Sequence, residues 1–338
     1  MSLFKKLTLL LLLSTSSVHA FTPESGFWFS PNGYGVSIEI QDNFLFAAIY
    51  VYDETGEPIW YSAGAPLVGN SLFDSELNLT VGGSCIDCPS STPTTFVGEG
   101  GPVTIDFTSE TTGTIQFNGQ IQPLQRFNFL LGDELEKMLG EWQVVIDASQ
   151  FIDTYPFTAD VLVFRQVEVV DGDRLVTGCR SESTVFNSCT QFALDNSDMA
   201  AYFDFDLDEL FVIVRDDPDQ FLIYRLTVGL DQFDGTAITY SVNSQPPASF
   251  LDGNTDGFIV RGFRSASRTF VESGSGPSKT VRKEVQKARP GLSSFVPNEK
   301  ILEKTTTTYE AADLSEKGQR VFEIIQMLQN QLENKNTQ

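Results

Sequence analysis

Histidine is all but missing from this 338-residue chain: the only one is His19. It lies in the N-terminal stretch MSLFKKLTLLLLLSTSSVHA, where Lys5 and Lys6 precede an apolar run from Leu7 to Leu13 and Val18 and Ala20 close the segment. That is the build of a secretory signal peptide over residues 1–20, with the processed chain starting at Phe21. Cleavage there removes the last imidazole, which excludes Ser-His-Asp and Cys-His nucleophilic sites and histidine-ligated zinc. Long apolar runs are missing too, so the sequence offers no transmembrane segment beyond the leader. No cysteine follows the cleavage site, which argues against a lipid anchor. The expectation is an exported protein, periplasmic or extracellular.

Positive charge is the second scarcity. From Phe21 to Glu272 there are 10 Lys and Arg against 37 Asp and Glu, and Lys137 is the only lysine. Such a body repels nucleic acid and anionic membrane surfaces, so neither is an expected partner. Two accounts of the acid stand: solubility, as in a salty environment, and binding of divalent cations. From Ser273 to Gln338 the balance reverses, with 10 bases against 8 acids. The segment around Arg282, Lys283, Lys287 and Arg289 is therefore expected to pack electrostatically on the acidic body or on acidic partners.

Cysteine is sparse but even in number: Cys85, Cys88, Cys179 and Cys189. Three pairings are open. Sequence locality favours Cys85 with Cys88 and Cys179 with Cys189. The CIDC stretch sits in turn-rich GGSCIDCPSSTP, with no helix to depress a thiolate pKa, so a structural bridge is expected rather than a redox dithiol.

What is abundant is strand. Val36–Ile40 alternates as VSIEI, a Gln41-Asp42-Asn43 turn follows, and an apolar run extends from Phe44 to Tyr52 before the turn at Asp53–Pro58. Further strands are expected at Val103–Phe107, Thr114–Phe117 and around Arg126–Leu130. A second block holds eight, at Glu141–Ile146, Val161–Val170, Leu175–Gly178, Ala200–Phe205, Leu210–Arg215, Phe221–Val228, Ala237–Val242 and Gly257–Phe263. Many short strands at this spacing predict an all-β fold: two antiparallel β-barrel or β-sandwich domains, residues 21–132 and 133–272. A flexible linker, 273–312, opens with SGSGPS. An amphipathic helix, 313–335, follows, with capping-box spacing in Asp313-Leu314-Ser315-Glu316 and a stripe of Leu314, Val321, Ile325, Leu328 and Leu332. That stripe can dock on the body, on a partner, or on a second copy in self-association.

The first block carries a recurrent pattern. Gly26, Trp28, Pro31-Asn32, Gly33, Gly35, Ile38-Glu39, Leu45-Phe46-Ala47, Tyr50, Tyr52-Asp53, Gly56, Pro58 and Trp60-Tyr61 match G-x-W, P-N, a glycine-rich turn, G-x-x-I-E, L-F-A and Y-x-Y-D-x-x-G-x-P-x-W-Y. Gly101–Phe107, Gly113–Phe117 and Leu124–Phe127 continue it. Over residues 25–130 the chain resembles an aromatic, glycine-rich β module of exported Gram-negative proteins. The resemblance implies export and a β domain, and no particular activity.

Three sets of residues are candidates for a site. Trp28, Trp60 and Tyr61 stand at strand ends beside Gly and Pro turns, where aromatics plug a core or stack on a ligand; plugging is the commoner outcome. Both faces of Phe44–Tyr52 are apolar, which predicts a strand covered on both sides. Asp252, Asn254 and Asp256 in DGNTDG match the first half of a calcium loop, although Phe263 stands where the bidentate acid belongs, and an ordinary turn uses the same residues. Ca²⁺ is thus the one cofactor the sequence suggests. Asp204, Asp206 and Asp208 alternate in FDFDLDEL, as on one solvated strand face or an acidic ridge.

The first reading of function is a non-enzymatic exported binding protein for a glycan, a matrix component or an envelope protein. A carbohydrate-active hydrolase using paired carboxylates is the rival, with Glu39 as one candidate acid and no evident partner. A structural assembly component docking through its C-terminal helix is the third. A shallow aromatic platform without convergent acids would favour glycan binding, and clustered carboxylates in a cleft would favour the enzyme.

Overall fold

A computed structural model of the chain describes residues 21–129, 131–150, 156–170, 172–180, 199–217, 219–253, 257–267 and 314–335. The expected signal peptide, the linker 273–312 with its basic segment, and Asp313 lie outside them. The chain divides into two compact units between Phe127 and Asn128. Both are antiparallel β structures, as the spacing of short strands predicts.

The first unit is one ten-stranded sheet. Its strands are β1 (Gly26–Ser30), β2 (Tyr34–Gln41), β3 (Phe44–Tyr52), β4 (Pro58–Pro66), β5 (Leu72–Glu76), β6 (Asn78–Val81), β7 (Thr94–Phe96), β8 (Pro102–Phe107), β9 (Thr112–Phe117) and β10 (Gln120–Arg126). They are ordered β5-β8-β9-β10-β1-β2-β3-β4-β6-β7. The sheet curls into a half-barrel, and the hydroxyl of Ser75 on β5 reaches back to the carbonyl of Gly64 on β4, 3.3 Å away. The concave face holds the core, with Trp28, Val36, Ile38, Leu45, Ile49, Phe73, Ile105, Phe107 and Ile115 all essentially inaccessible.

Much of the recurrent pattern turns out to be punctuation. Gly26 has φ +131°, and a Cβ there would strike the Arg126 guanidinium. Only glycine lets that guanidinium lie on the β1 backbone, where it donates to the carbonyls of Ser25 (3.1 Å) and Phe27 (3.2 Å) and locks β1 to β10. At the β3–β4 turn, Asp53 Oδ1 accepts from Thr55 N (2.8 Å), Thr55 Oγ1 (2.7 Å) and Glu57 N (3.0 Å). Gly56, at φ +86°, completes the reversal.

The second unit is a closed eight-stranded barrel in simple up-and-down order. Its strands are β11 (Gly140–Asp147), β12 (Phe157–Val170), β13 (Asp173–Arg180), β14 (Met199–Asp204), β15 (Glu209–Asp217), β16 (Gln220–Val228), β17 (Gln232–Ser241) and β18 (Phe258–Ser267). The β11–β18 pairing closes it, for example at Val144↔Gly262. Eight strands leave an interior just wide enough for side chains. Trp142, Phe164, Val212, Leu222, Tyr224, Phe233 and Val260 fill it.

One end of this barrel is stoppered by Leu135, Met138 and Leu139, around the 3-10 turn Glu136–Met138. Lys137, the only lysine of the acidic body, is buried there and donates to the Val228 carbonyl at 3.0 Å. Arg264 lies over the Trp142 ring at 4.3 Å and donates to the carbonyl of Leu139 at 3.0 Å.

The C-terminal helix, Glu316–Lys335, lies on the outside of the same barrel. Its Val321, Ile324, Ile325, Leu328 and Leu332 pack with Leu175, Ala200, Phe211, Ile213, Phe221, Ile223 and Ile238, the outward residues of β13 to β17. Of the three docking options, the body is the one the structure shows. The helix starts two residues later than the capping-box spacing implied. Ser315 is the N-cap, its Oγ accepting from Gly318 N at 3.0 Å. The reciprocal acid comes from a different element: Asp252, just after the helical turn Ala248–Leu251, accepts from Ser315 N at 3.2 Å and from the Ser315 hydroxyl. Farther along, Arg320 pairs with Asp204 and, at 3.0 Å, with Asp206, while Lys317 stands 3.5 Å from Glu209.

Two local expectations need correction here. The stretch FDFDLDEL is not one strand with an acidic face. Strand β14 ends at Asp204, β15 begins at Glu209, and the residues between them turn. Asp204 is fully buried because its Oδ1 builds that turn, accepting from the amides of Asp206 and Leu207 at 3.0 Å each. The strand Phe44–Tyr52 is not covered on both sides either: Phe44, Phe46 and Tyr50 are each 46% exposed.

Candidate ligand-binding face

Alternation along β1 to β4 sorts the aromatics of the first unit. The inward row across these strands is Trp28, Val36, Ile49 and Tyr61; the outward row beside it is Phe29, Gly35, Tyr50 and Trp60. Trp28 is sealed in the core, where its indole N–H donates to the Glu24 carbonyl at 3.0 Å and its ring meets Phe107 edge-on at 5.2 Å. Tyr61 packs half-buried against the same core. Trp60, 45% exposed, faces the other way. The three predicted residues are therefore not one cluster: two lie on the inner face and Trp60 lies on the outer.

Trp60 has outward company that the sequence reading did not single out. Tyr50 stands directly opposite it on β3, and the Phe27 ring lies 6.5 Å from Tyr50. Phe127 meets Phe27 at 6.0 Å and Phe29 at 5.3 Å, both edge-on. Farther along β3, Phe46 and Phe44 continue the surface, and Tyr52, 68% exposed, extends it at the opposite end. Small residues fill the gaps: Ser37, Ala48 and Ser62 form the next outward row beyond Phe27. Two glycines let rings lie down on the sheet. The Phe27 ring comes within 2.5 Å of where a Gly35 Cβ would stand, and the Phe44 ring within 3.1 Å of one at Gly64. The row from Phe29 to Trp60 crosses three strand spacings, about 14 Å. The result is an open aromatic patch on the outer face of the curled sheet among the described residues, with Glu39 the one acid within it, opposite Phe46.

The charge around this face has one sign. Between Phe21 and Phe127 there are 12 acids and a single base, Arg126. Arg126 is spent on backbone carbonyls and lies 3.8 Å from Glu24. Asp42 marks the β2–β3 turn and Asp53, Glu54 and Glu57 the β3–β4 turn, so exposed carboxylates stand at both ends of β3. The Asp53 carboxyl is held below its ordinary value by the Thr55 hydroxyl first, and then by the amides of Glu57 and Thr55.

The other predicted sites resolve differently. Of the calcium-loop residues, Asp252 is the acid that caps the C-terminal helix, and Asn254 and Asp256 lie outside the described residues. Among the described residues no group of three or more His, Cys, Asp or Glu side chains gathers to hold a metal ion. Cys85 and Cys88 are disulfide-bonded, with Cα atoms 5.1 Å apart. Cys179 is also disulfide-bonded, and Cys189, its expected partner, lies outside the described residues. No described helix is long and apolar enough to cross a membrane.

One buried polar cluster escaped the sequence reading. Asp160 on β12 lies inside the second barrel and accepts from Arg180 Nε (2.9 Å), the Tyr224 hydroxyl (2.7 Å) and Val161 N (2.8 Å). All three side chains are buried, so the cluster ties three strands together across the core. The VLVF run after Asp160 is apolar at every position and so does not mark which face Asp160 takes, and no local pattern names partners 20 and 64 residues away.

No known protein family, no curated protein and no solved structure matches this chain.

Proposed function

We propose that this is an exported, non-enzymatic binding protein of the cell envelope or extracellular space, and that the open face of its first domain holds a glycan. One observation carries the reading: Tyr50 and Trp60, each nearly half exposed and opposite one another, continue on the outer face into the partly buried rings of Phe27, Phe29 and Phe127. Contiguous exposed apolar surface of this kind marks interaction sites, whereas scattered single residues do not. The apolar C–H face of a pyranose matches a flat ring, and hydroxyls at its rim reach Ser37, Ser62 and Glu39. An aromatic edge with a wet rim suits amphipathic ligands generally. The leader sequence and the cysteine usage support export.

The hydrolase reading has less support, because Glu39 stands exposed on the outer face of the sheet and not in a cleft beside a second acid. Assembly through the C-terminal helix is disfavoured by the helix itself, whose stripe is already spent on its own barrel. The test is a glycan-array screen of the purified protein, run with Ca²⁺ and with EDTA, beside Trp60→Ala and Tyr50→Ala. Retention lost in both variants with melting temperature unchanged supports the reading. Binding that survives both substitutions, or a blank array, refutes it. Release of reducing ends from a bound chain would restore the hydrolase.

A further inference from the structure

We infer that the aromatic face is selective by charge: it takes sugar chains without carboxylate or sulfate groups and turns acidic polysaccharides away. The inference rests on the glycan reading above and adds the class of glycan. Its basis is the arrangement of charge, independent of the rings. Glu39 stands exposed in the middle of the face, opposite Phe46, and its neighbours there, Ser37, Gln41, Ala48 and Gly64, carry no charge. Asp42 closes one end of β3, and Asp53, Glu54 and Glu57 close the other. The only cation among the unit's described residues, Arg126, has its guanidinium laid against the backbone of Ser25 and Phe27. An anionic sugar stacked on Tyr50 or Trp60 therefore has carboxylates at both ends of β3 and at Glu39, and no free guanidinium of this unit's described residues to pair with.

At low ionic strength these acids act together. The screening length is about 30 Å at 0.01 M salt, longer than the aromatic row, and about 3 Å at 1 M. Selectivity of this origin is therefore large in dilute buffer and collapses in concentrated salt. Selectivity from ring shape alone would not change.

The experiment uses polysaccharides matched in backbone and differing in charge: hydroxyethylcellulose against carboxymethylcellulose, and dextran against carboxymethyl-dextran. Retention of the purified protein is measured by affinity electrophoresis at low and high salt, with Glu39→Gln and Glu39→Lys alongside. In at least one pair, the neutral member should retain the protein about tenfold more strongly at 0.01 M salt, with the gap closing toward 1 M. Glu39→Lys should narrow the gap at low salt and Glu39→Gln should fall between. Equal or stronger retention by the carboxylated member in dilute buffer overturns the inference and leaves the glycan reading intact. A gap that salt and Glu39→Lys leave unchanged also overturns it. If no neutral or acidic polysaccharide retains the protein, and Trp60→Ala behaves as wild type throughout, the glycan reading itself falls and takes the inference with it.

Discussion

Replacing glycine by alanine inside a helix ordinarily stabilises it by about 1 kcal/mol. At Gly318 in the C-terminal helix the sign should fail. A Cβ at that position would collide with Asp252 Oδ1, the oxygen that accepts from Ser315. The carboxylate must swing away, and the shared cap goes with it. Loss of an N-cap costs about 1 kcal/mol, ranging from about 0.5 to 2. Gly318→Ala alone should therefore range from neutral to destabilising by about 1 kcal/mol, because the propensity gain is offset by the lost cap. Once Asp252→Ala has removed the carboxylate, the nearest remaining atom is Leu314 Cβ at 3.3 Å, and the same substitution should recover its gain. The coupling between the two positions should be about 1 to 2 kcal/mol. In a unit of this size that is a difference of about 2–8 °C in the effect of Gly318→Ala between backgrounds. Thermal and urea unfolding of the four proteins, followed by far-UV circular dichroism, measures it. If Gly318→Ala raised the melting temperature equally in both backgrounds, Asp252 would not be the cap. Repeating the melts with Ca²⁺ and with EDTA separates the two uses of Asp252, since capping is indifferent to calcium.

Inside the second barrel, Tyr224→Phe should cost about 1.5–3 kcal/mol, since it removes a donor to a buried carboxylate. Asp160→Ala should cost about 3–5 kcal/mol by leaving Arg180 buried without it, measured by urea denaturation. In the first domain, Trp28→Ala should destabilise by about 3–5 kcal/mol, whereas Trp60→Ala should shift the midpoint by under about 0.5 kcal/mol, so that denaturation separates core from face. The Asp53 turn should depend on pH. Its carboxyl titrates below the ordinary 3.8, so its contribution is complete above that value and is lost as the pH falls through the depressed one. Protection of the Thr55 and Glu57 amides from exchange, relative to the intrinsic rate at each pH, should be lost only under those acidic conditions, and a loss already complete above pH 3.8 would refute the assignment.

Legibility in the sequence followed the range of the interactions involved. All eight barrel strands are present where alternation and turn residues predicted them, because period-two patterning is a local property and each strand has one face in a core. Strands β1, β5, β6 and β7 and most of β10 were missed. β6 (Asn78–Val81) and β7 (Thr94–Phe96) are short strands at one edge with no buried residue and so little alternation, whereas β10 lies between β9 and β1 inside the sheet. The site was half legible. The density of aromatics was plain, but Trp28, Trp60 and Tyr61 read as one group, and adjacent positions on a strand point to opposite faces. Only the register of β1 against β2 and β3 brings Phe27 beside Tyr50, 23 residues on, and only the end of β10 delivers Phe127 to them.

The sequence by itself determined the class of the fold, the two-domain plan and the C-terminal helix with its apolar stripe. Each follows from composition or from a period of two or 3.6, which any neighbouring stretch of chain expresses on its own. The tertiary structure decided which aromatics are core and which form the open face, that Asp252 caps a helix 63 residues away, and that the stripe is spent on its own barrel. It also decided that three distant side chains meet at Asp160. Those outcomes depend on strand register and sheet curvature, which are settled only when the whole sheet closes around its core and distant residues compete for the same space.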